Sequence, residues 1–219
     1  MLRPLSEKGR FEAECRALAA ADPVLAEFIT SVGPCRLIPT PDPFMALVEA
    51  IVSQQLSVKA ADTIFKRLLA LYHPKKKILP RALLATNTLA LSRAGLSRQK
   101  IEYMRDLAER WETGEIVPRR FRSLSDEEVI AQLIRIKGVG RWTAEMFLIF
   151  ALNRPDVLPV DDLGLKKAIE RAYRLRKLPS PERIRLIAEP WRPYRSIATW
   201  YLWKSLNAVP VKSEKELME

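Results

Sequence analysis

Two residue types are nearly missing from this chain of 219 residues: it has two cysteines, Cys15 and Cys35, and one histidine, His73. Neither cysteine belongs to a C-x-x-C pair, and two thiols cannot supply the four ligands of an all-cysteine iron–sulfur cluster. His73 stands beside Pro74 and a lysine run, where a helix end is expected, which argues against a His-based zinc site. Long apolar runs are missing too: no segment approaches the roughly 18 consecutive apolar residues of a membrane span. The opening residues, Met1-Leu2-Arg3-Pro4-Leu5-Ser6-Glu7-Lys8, lack the apolar stretch of a signal peptide. There is no internal repeat, no low-complexity tract and no alternating run long enough to claim a sheet. These absences lead us to expect a reduced, cytoplasmic, helical protein.

What is present is hydrophobic and basic. Hydrophobic residues make up 48% of the chain, and 37 Lys+Arg face 26 Asp+Glu, a formal charge of +11 with a pI near 9.9. The length suits one large domain or two small ones with a buried core. A basic excess of this size suits a polyanionic partner, although a solvated surface can also carry it.

Helical periodicity recurs along the chain, as in Phe44, Leu47, Val48, Ile51, Val52 and in Ala61, Ile64, Phe65, Leu68, Leu69. Ser57 and Ser97 read as N-caps, the latter for a helix carrying Ile101, Met104, Leu107, Ala108 and Trp111 that Gly114 closes. Ser125-Asp126-Glu127-Glu128 is a capping box, and Ser180-Pro181-Glu182 places an N-cap before a proline at the first helical position. Leu37–Pro43 is a proline-rich boundary, with a second connection around Asn153–Asp156. Lys75-Lys76-Lys77 reads as a solvated loop, and the tail after Pro210 as polar and frayed.

The most informative stretch is Leu133-Ile134-Arg135-Ile136-Lys137-Gly138-Val139-Gly140-Arg141-Trp142-Thr143-Ala144. One apolar helix ends at Gly138-Val139-Gly140 and another begins at once. Glycine reaches positive φ without steric cost, so a tight hairpin is possible there. N–H groups at the start of the second helix offer a weak positive potential to a phosphate, and Lys137 and Arg141 flank them. The arrangement reads as a helix-hairpin-helix that grips a nucleic-acid backbone; the bland alternative is a plain helix–helix turn. Beyond it, Pro159-Val160-Asp161-Asp162-Leu163-Gly164-Leu165 sets two aspartates at the start of a helix. Either can be an N-cap. Either can also stabilise positive charge growing on a deoxyribose, or direct a water at it.

Together these segments resemble the helix-hairpin-helix DNA glycosylases. Phe44–Ala61, Gly138–Ala144 and Trp191-Arg192-Pro193-Tyr194-Arg195-Ser196 with Trp203 resemble the alkylation-repair branch, the 3-methyladenine-DNA glycosylase II family, over about residues 35–207. The resemblance implies an all-α fold of two helical lobes around a DNA-binding cleft. Residues 40–153 would form the lobe with the wedge loop and hairpin. Residues 154–219 would carry the catalytic aspartate and pocket aromatics, and residues 1–39 would pack with them. It implies a monomer acting on damaged double-stranded DNA, nucleoid-associated if prokaryotic, without a cofactor, removing alkylated purines in base excision repair. Alternatives are a glycosylase for oxidised or mismatched bases, a non-catalytic lesion sensor, and a structural DNA-binding hairpin module.

The family register lays roles on individual residues. The catalytic carboxylate lies two residues after the proline, which selects Asp161 and leaves Asp162 as a neighbour or cap. Bifunctional members carry a lysine, the Schiff-base nucleophile, where this chain has Trp142, so the resemblance implies no strand cleavage. Trp142, Trp203, Leu163, Met146 and Tyr194 are expected around the base, since aromatic faces attract cationic alkylated purines; Met146 stands where the resemblance implies an aromatic. Trp200 and Tyr201 are expected in the core. Gln55 is the expected DNA wedge, with Leu56 as the alternative. Lys137, Gly138, Val139, Gly140, Arg141 and Thr143 are expected along the DNA backbone, where hairpin carbonyls can hold a monovalent cation. Ala94–Lys100 and Tyr103 resemble a further segment whose turn and basic residues meet phosphate.

Overall fold

The computed structural model describes residues 11–74 and 77–207. Lys75, Lys76 and the tail after Pro210 lie outside the described residues. Among those described, every regular element is helical, in agreement with the expected all-α class. The α-helices are, in chain order, α1 (Glu12–Ala21), α2 (Pro23–Val32), α3 (Pro43–Ser53), α4 (Val58–Ala70), α5 (Pro80–Ala85), α6 (Thr88–Arg93), α7 (Arg98–Glu112), α8 (Asp126–Leu133), α9 (Arg141–Phe150), α10 (Leu163–Ala172), α11 (Pro181–Ile187) and α12 (Arg195–Asn207). No helix among the described residues is long and apolar enough to cross a membrane.

Local chemistry explains most helix starts. Ser57, Ser97 and Ser180 accept hydrogen bonds from main-chain N–H groups of the first turns of α4, α7 and α11. Ser125 and Glu128 form the full capping box at α8. Asp22 and Asp42 accept main-chain N–H groups of the first turns of α2 and α3, each followed by a proline whose fixed φ suits the first helical position. His73 follows the end of α4, as its sequence position implied.

The chain divides into two compact units, one of residues 38–154 and the other of residues up to 37 joined with those from 155 onward. In the first, α3 is central. It buries Phe44, Leu47, Val48, Ile51 and Val52 and packs on α4, α7 and α9. Phe44 meets Trp111 of α7 edge-on at 5.1 Å, and Phe121 meets Phe147 of α9 at 5.7 Å. Each fully buried aliphatic side chain contributes about 1.5–3 kcal/mol. Lys77, the described member of the lysine run, is exposed and pairs with Asp42 at 2.7 Å.

In the second unit α12 packs against α2 and α10. It buries Ile197, Ala198, Trp200, Tyr201 and Leu202 in near succession, the pattern of a helix enclosed on most sides. The Tyr201 hydroxyl donates to the Gly33 carbonyl at 2.9 Å. Asp22, buried, joins three elements. Its Oδ1 caps α2, while Oδ2 accepts the Tyr173 hydroxyl at 2.5 Å and the Trp191 indole N–H at 2.8 Å. Burial, reinforced by the Asp22 carboxylate, pushes the Tyr173 phenol far above its ordinary pKa.

Asp22→Ala is therefore expected to cost about 3 kcal/mol or more, because several buried donors lose their acceptor at once. Urea unfolding measures it. A loss under about 1 kcal/mol, the size of one exposed cap, would show that this carboxylate does not tie the unit together.

Candidate functional site

The hairpin of residues 134–140 links α8 to α9. Gly138 takes φ +78°, and a Cβ built there would lie 2.0 Å from the Tyr103 ring on α7. Only glycine fits that backbone so close to the ring. Gly140 is the N-cap of α9, and with no side chain it leaves the helix start uncapped by its own residue. The Lys137 N–H donates to Asp106 Oδ2 at 2.9 Å, and the Arg110 Nε–H donates to the same oxygen at 2.9 Å. Burial resists ionisation of Asp106, but the Arg110 and Lys137 donors outweigh it and hold the carboxyl below its ordinary pKa.

Of the expected backbone contacts, Lys137, Gly138, Gly140 and Arg141 are exposed. Val139 is buried, and its N–H is taken by the Ile136 carbonyl. Thr143 is buried as well. Arg141 is engaged by two carboxylates: its guanidinium pairs side-on with Glu127, and its Nε–H donates to the buried Glu145 at 3.1 Å. Glu127 and Glu145 raise the Arg141 pKa, the Glu127 hydrogen bond most, and the same bond lowers that of Glu127. A guanidinium in this setting compensates a buried charge, a duty the sequence reading did not assign to it.

A cavity of about 600 Å³ opens in the unit of residues 38–154. Gln54, Gln55 and Leu56 line it from the α3–α4 loop, Lys100 and Tyr103 from α7, Gly138 from the hairpin, and Trp142 and Thr143 from α9. Trp142 is 45% exposed and Leu56 38%. Met146, half-buried one turn beyond Trp142, is not among the lining residues. The loop is tied down from both sides. Lys100 Nζ donates to the carbonyls of Val52 (2.6 Å) and Gln54 (2.8 Å), and Gln54 Nε2 donates to the Gly138 carbonyl at 2.8 Å. Lys100 was expected among residues that meet phosphate; its ammonium instead turns inward. The ties that Lys100 and Gln54 make were not legible in the sequence, because their partners lie 46 to 84 residues away.

The other unit separates the two aspartates. Asp162 is the N-cap of α10, with Oδ1 accepting the Leu165 N–H at 2.5 Å and the Trp203 indole N–H at 2.7 Å. Gly164 lets that indole lie on the first turn of α10, since a Cβ there would come within 3.3 Å of it. Asp161, 68% exposed at the side chain, has Lys166 Nζ at 3.5 Å. An ion pair so exposed contributes at most about 1 kcal/mol and leaves the carboxylate open to a ligand. Leu163 is 54% exposed and Tyr194 half-buried. Trp200 and Tyr201 lie in the core as expected. The expected base-pocket residues therefore divide, Trp142 and Met146 on one unit, Leu163, Tyr194 and Trp203 on the other.

The sequence profile of the HhH-GPD superfamily of base excision DNA repair proteins matches residues 48–193. DNA-3-methyladenine glycosylase 1 of Schizosaccharomyces pombe is 36% identical over 197 residues, 87% of this chain and 86% of that protein. A solved structure of 3-methyladenine DNA glycosylase from the same yeast, in complex with abasic DNA, aligns with a TM-score of 0.82 at 33% identity, covering 92% of this chain and 100% of that one. DNA-3-methyladenine glycosidase from Bacillus halodurans aligns with a TM-score of 0.78 at 36% identity, covering 93% and 92%.

Gly138→Ala is expected to destabilise the hairpin unit by more than the roughly 1–2 kcal/mol of a left-handed alanine alone, since the Tyr103 ring must also move. Pairing it with Tyr103→Ala in a double-mutant cycle checks this. The second substitution should recover the steric part, and strict additivity would show that the close approach is not what demands glycine.

Proposed function

The chain belongs to the HhH-GPD superfamily of base excision DNA repair proteins, and from that premise we propose that it is a monofunctional DNA glycosylase that excises alkylated purines such as 3-methyladenine or 7-methylguanine. The observation that carries the reading is the division of labour at the start of α10. Asp162 is occupied by the Leu165 N–H and the Trp203 indole, while Asp161 presents an exposed carboxylate. In the reaction the bond between C1′ of the deoxyribose and the purine nitrogen breaks. Its electron pair leaves with the base and neutralises the positive charge of an N3- or N7-alkylated purine. Positive charge grows on the sugar, where Asp161 stabilises it or takes a proton from the water that adds to C1′. The products are a free base and an abasic site.

The hairpin supports backbone binding through the start of α9, Lys137 and Gly140, and any phosphate contact by Arg141 competes with Glu127 and Glu145. Gln55, with Leu56 beside it, serves as the wedge that fills the gap left by the extruded nucleotide. Trp142, Trp203, Leu163, Met146 and Tyr194 are assigned to base recognition. A monovalent cation at the hairpin carbonyls would serve phosphate binding and not the chemistry. Cys15 and Cys35, both buried and joined in no disulfide, suit a reducing cytoplasm, and the protein is taken to act as a monomer on double-stranded DNA.

Asp161→Asn is expected to lower single-turnover excision by about two to three powers of ten, with melting temperature and duplex affinity retained. Asp162→Asn keeps an oxygen for the cap and should retain most activity. Inactivity of Asp162→Asn alone would move the catalytic assignment by one residue; full activity of both would leave Asp161 without a catalytic role. Independently, Trp142 holds no amine, so borohydride should trap no covalent protein–DNA adduct. An adduct formed efficiently would overturn the monofunctional reading.

A further inference from the structure

The α3–α4 loop depends on a lysine from a distant helix. Val52 and Gln54 lie at the C-terminal end of α3, where carbonyls lack intrahelical partners and carry partial negative charge. The Lys100 ammonium meets both carbonyls, at 2.6 and 2.8 Å, from the first turn of α7. Burial lowers its pKa. Gln54 then reaches across to the Gly138 carbonyl at 2.8 Å. The next residue, Gln55, is held at φ +56°, a left-handed backbone that a residue with a Cβ adopts at a cost. Leu56 N–H closes the turn on the Ser53 carbonyl at 3.2 Å. The loop is thus fixed by Lys100 behind it and by the hairpin beside it, and Gln55 faces the cavity between these two ties.

We propose that Lys100 is a positioning residue for base extrusion: by holding the Val52 and Gln54 carbonyls it keeps Gln55 in the left-handed conformation from which its side chain enters the duplex. This rests on the reading of Gln55 as the wedge. An inserted side chain offsets the loss of stacking only if the loop behind it does not yield, and a loop already ordered before binding loses less conformational entropy when it engages. Two of the three ammonium donors of Lys100 are taken by main-chain oxygens, so its task is to hold the loop and not to neutralise phosphate. The Gln54–Gly138 bond makes the same loop continuous with the backbone-gripping hairpin, which couples extrusion to grip.

The test uses the full chain and a lesion-bearing duplex with 2-aminopurine beside the lesion, whose fluorescence reports extrusion. Lys100→Met is expected to lower the extruded fraction and the single-turnover rate about tenfold, while affinity for undamaged duplex changes less than about twofold. Lys100→Arg, whose guanidinium can reach the same carbonyls, should restore most of both. Combined with Gln55→Ala, Lys100→Met should add little, because both act on one step. Thermal melts accompany each variant; should Lys100→Met melt below the assay temperature, it and the unmodified protein are compared at a temperature below its melt, with the same loss expected. If Gln55→Ala lowers extrusion and Lys100→Met does not, the inference falls and the wedge reading stands. If neither changes extrusion, the wedge reading falls and the inference with it. A parallel loss of undamaged-duplex affinity in Lys100→Met would make Lys100 a phosphate contact and overturn the proposal.

Discussion

The hairpin seats against α7 only because residue 138 has no Cβ; one built there would fall 2.0 Å from the Tyr103 ring. That approach, at φ +78°, places the Gly138 carbonyl where Gln54 can donate to it and sets the hairpin as one wall of the cavity that Trp142 and Gln55 share. Behind the hairpin, Asp106 holds the Lys137 N–H. A glycine chosen for its backbone thus determines where a loop from a different part of the sequence comes to rest. The proposed phosphate grip and the proposed wedge both depend on that contact.

Charge is arranged with similar economy. Although the chain carries +11, several cations near the functional elements serve the protein itself. Arg141 compensates a buried glutamate, and Lys100 closes the end of α3. Arg154 holds the carbonyls of Phe121 and Leu124. A basic total therefore overstates how many positive groups await DNA. The carboxylates are sorted too: Asp162 is fixed by a helix N-terminus and an indole, while its neighbour Asp161 stays exposed.

Much of this was legible in the sequence because it is local. Ser57, Ser97, Ser125 and Ser180 cap where their spacing from apolar residues places them, and the Gly138–Gly140 pair marks the turn between helices. Adjacent aspartates did not reveal which was the cap; their separation depends on Trp203, 41 residues beyond Asp162. Lys100 read as a surface cation, since nothing beside it announces carbonyls 46 and 48 residues earlier. Asp22 shows the same limit, its indole partner lying 169 residues away. For Arg141 a local sign was available: Glu145 stands four residues on, the spacing of a helical ion pair. Partnerships made only through tertiary packing leave no periodicity to read.

The central claim is that the chain breaks the glycosidic bond of an alkylated purine and leaves the strand whole. The most direct measurement is chromatography of free bases released from methylated duplex DNA, with the same strands then resolved before and after alkali. The account predicts that free 3-methyladenine or 7-methylguanine appears and that the strands break only after alkali. DNA bound with no base released would contradict it and leave a lesion-binding protein in place of an enzyme.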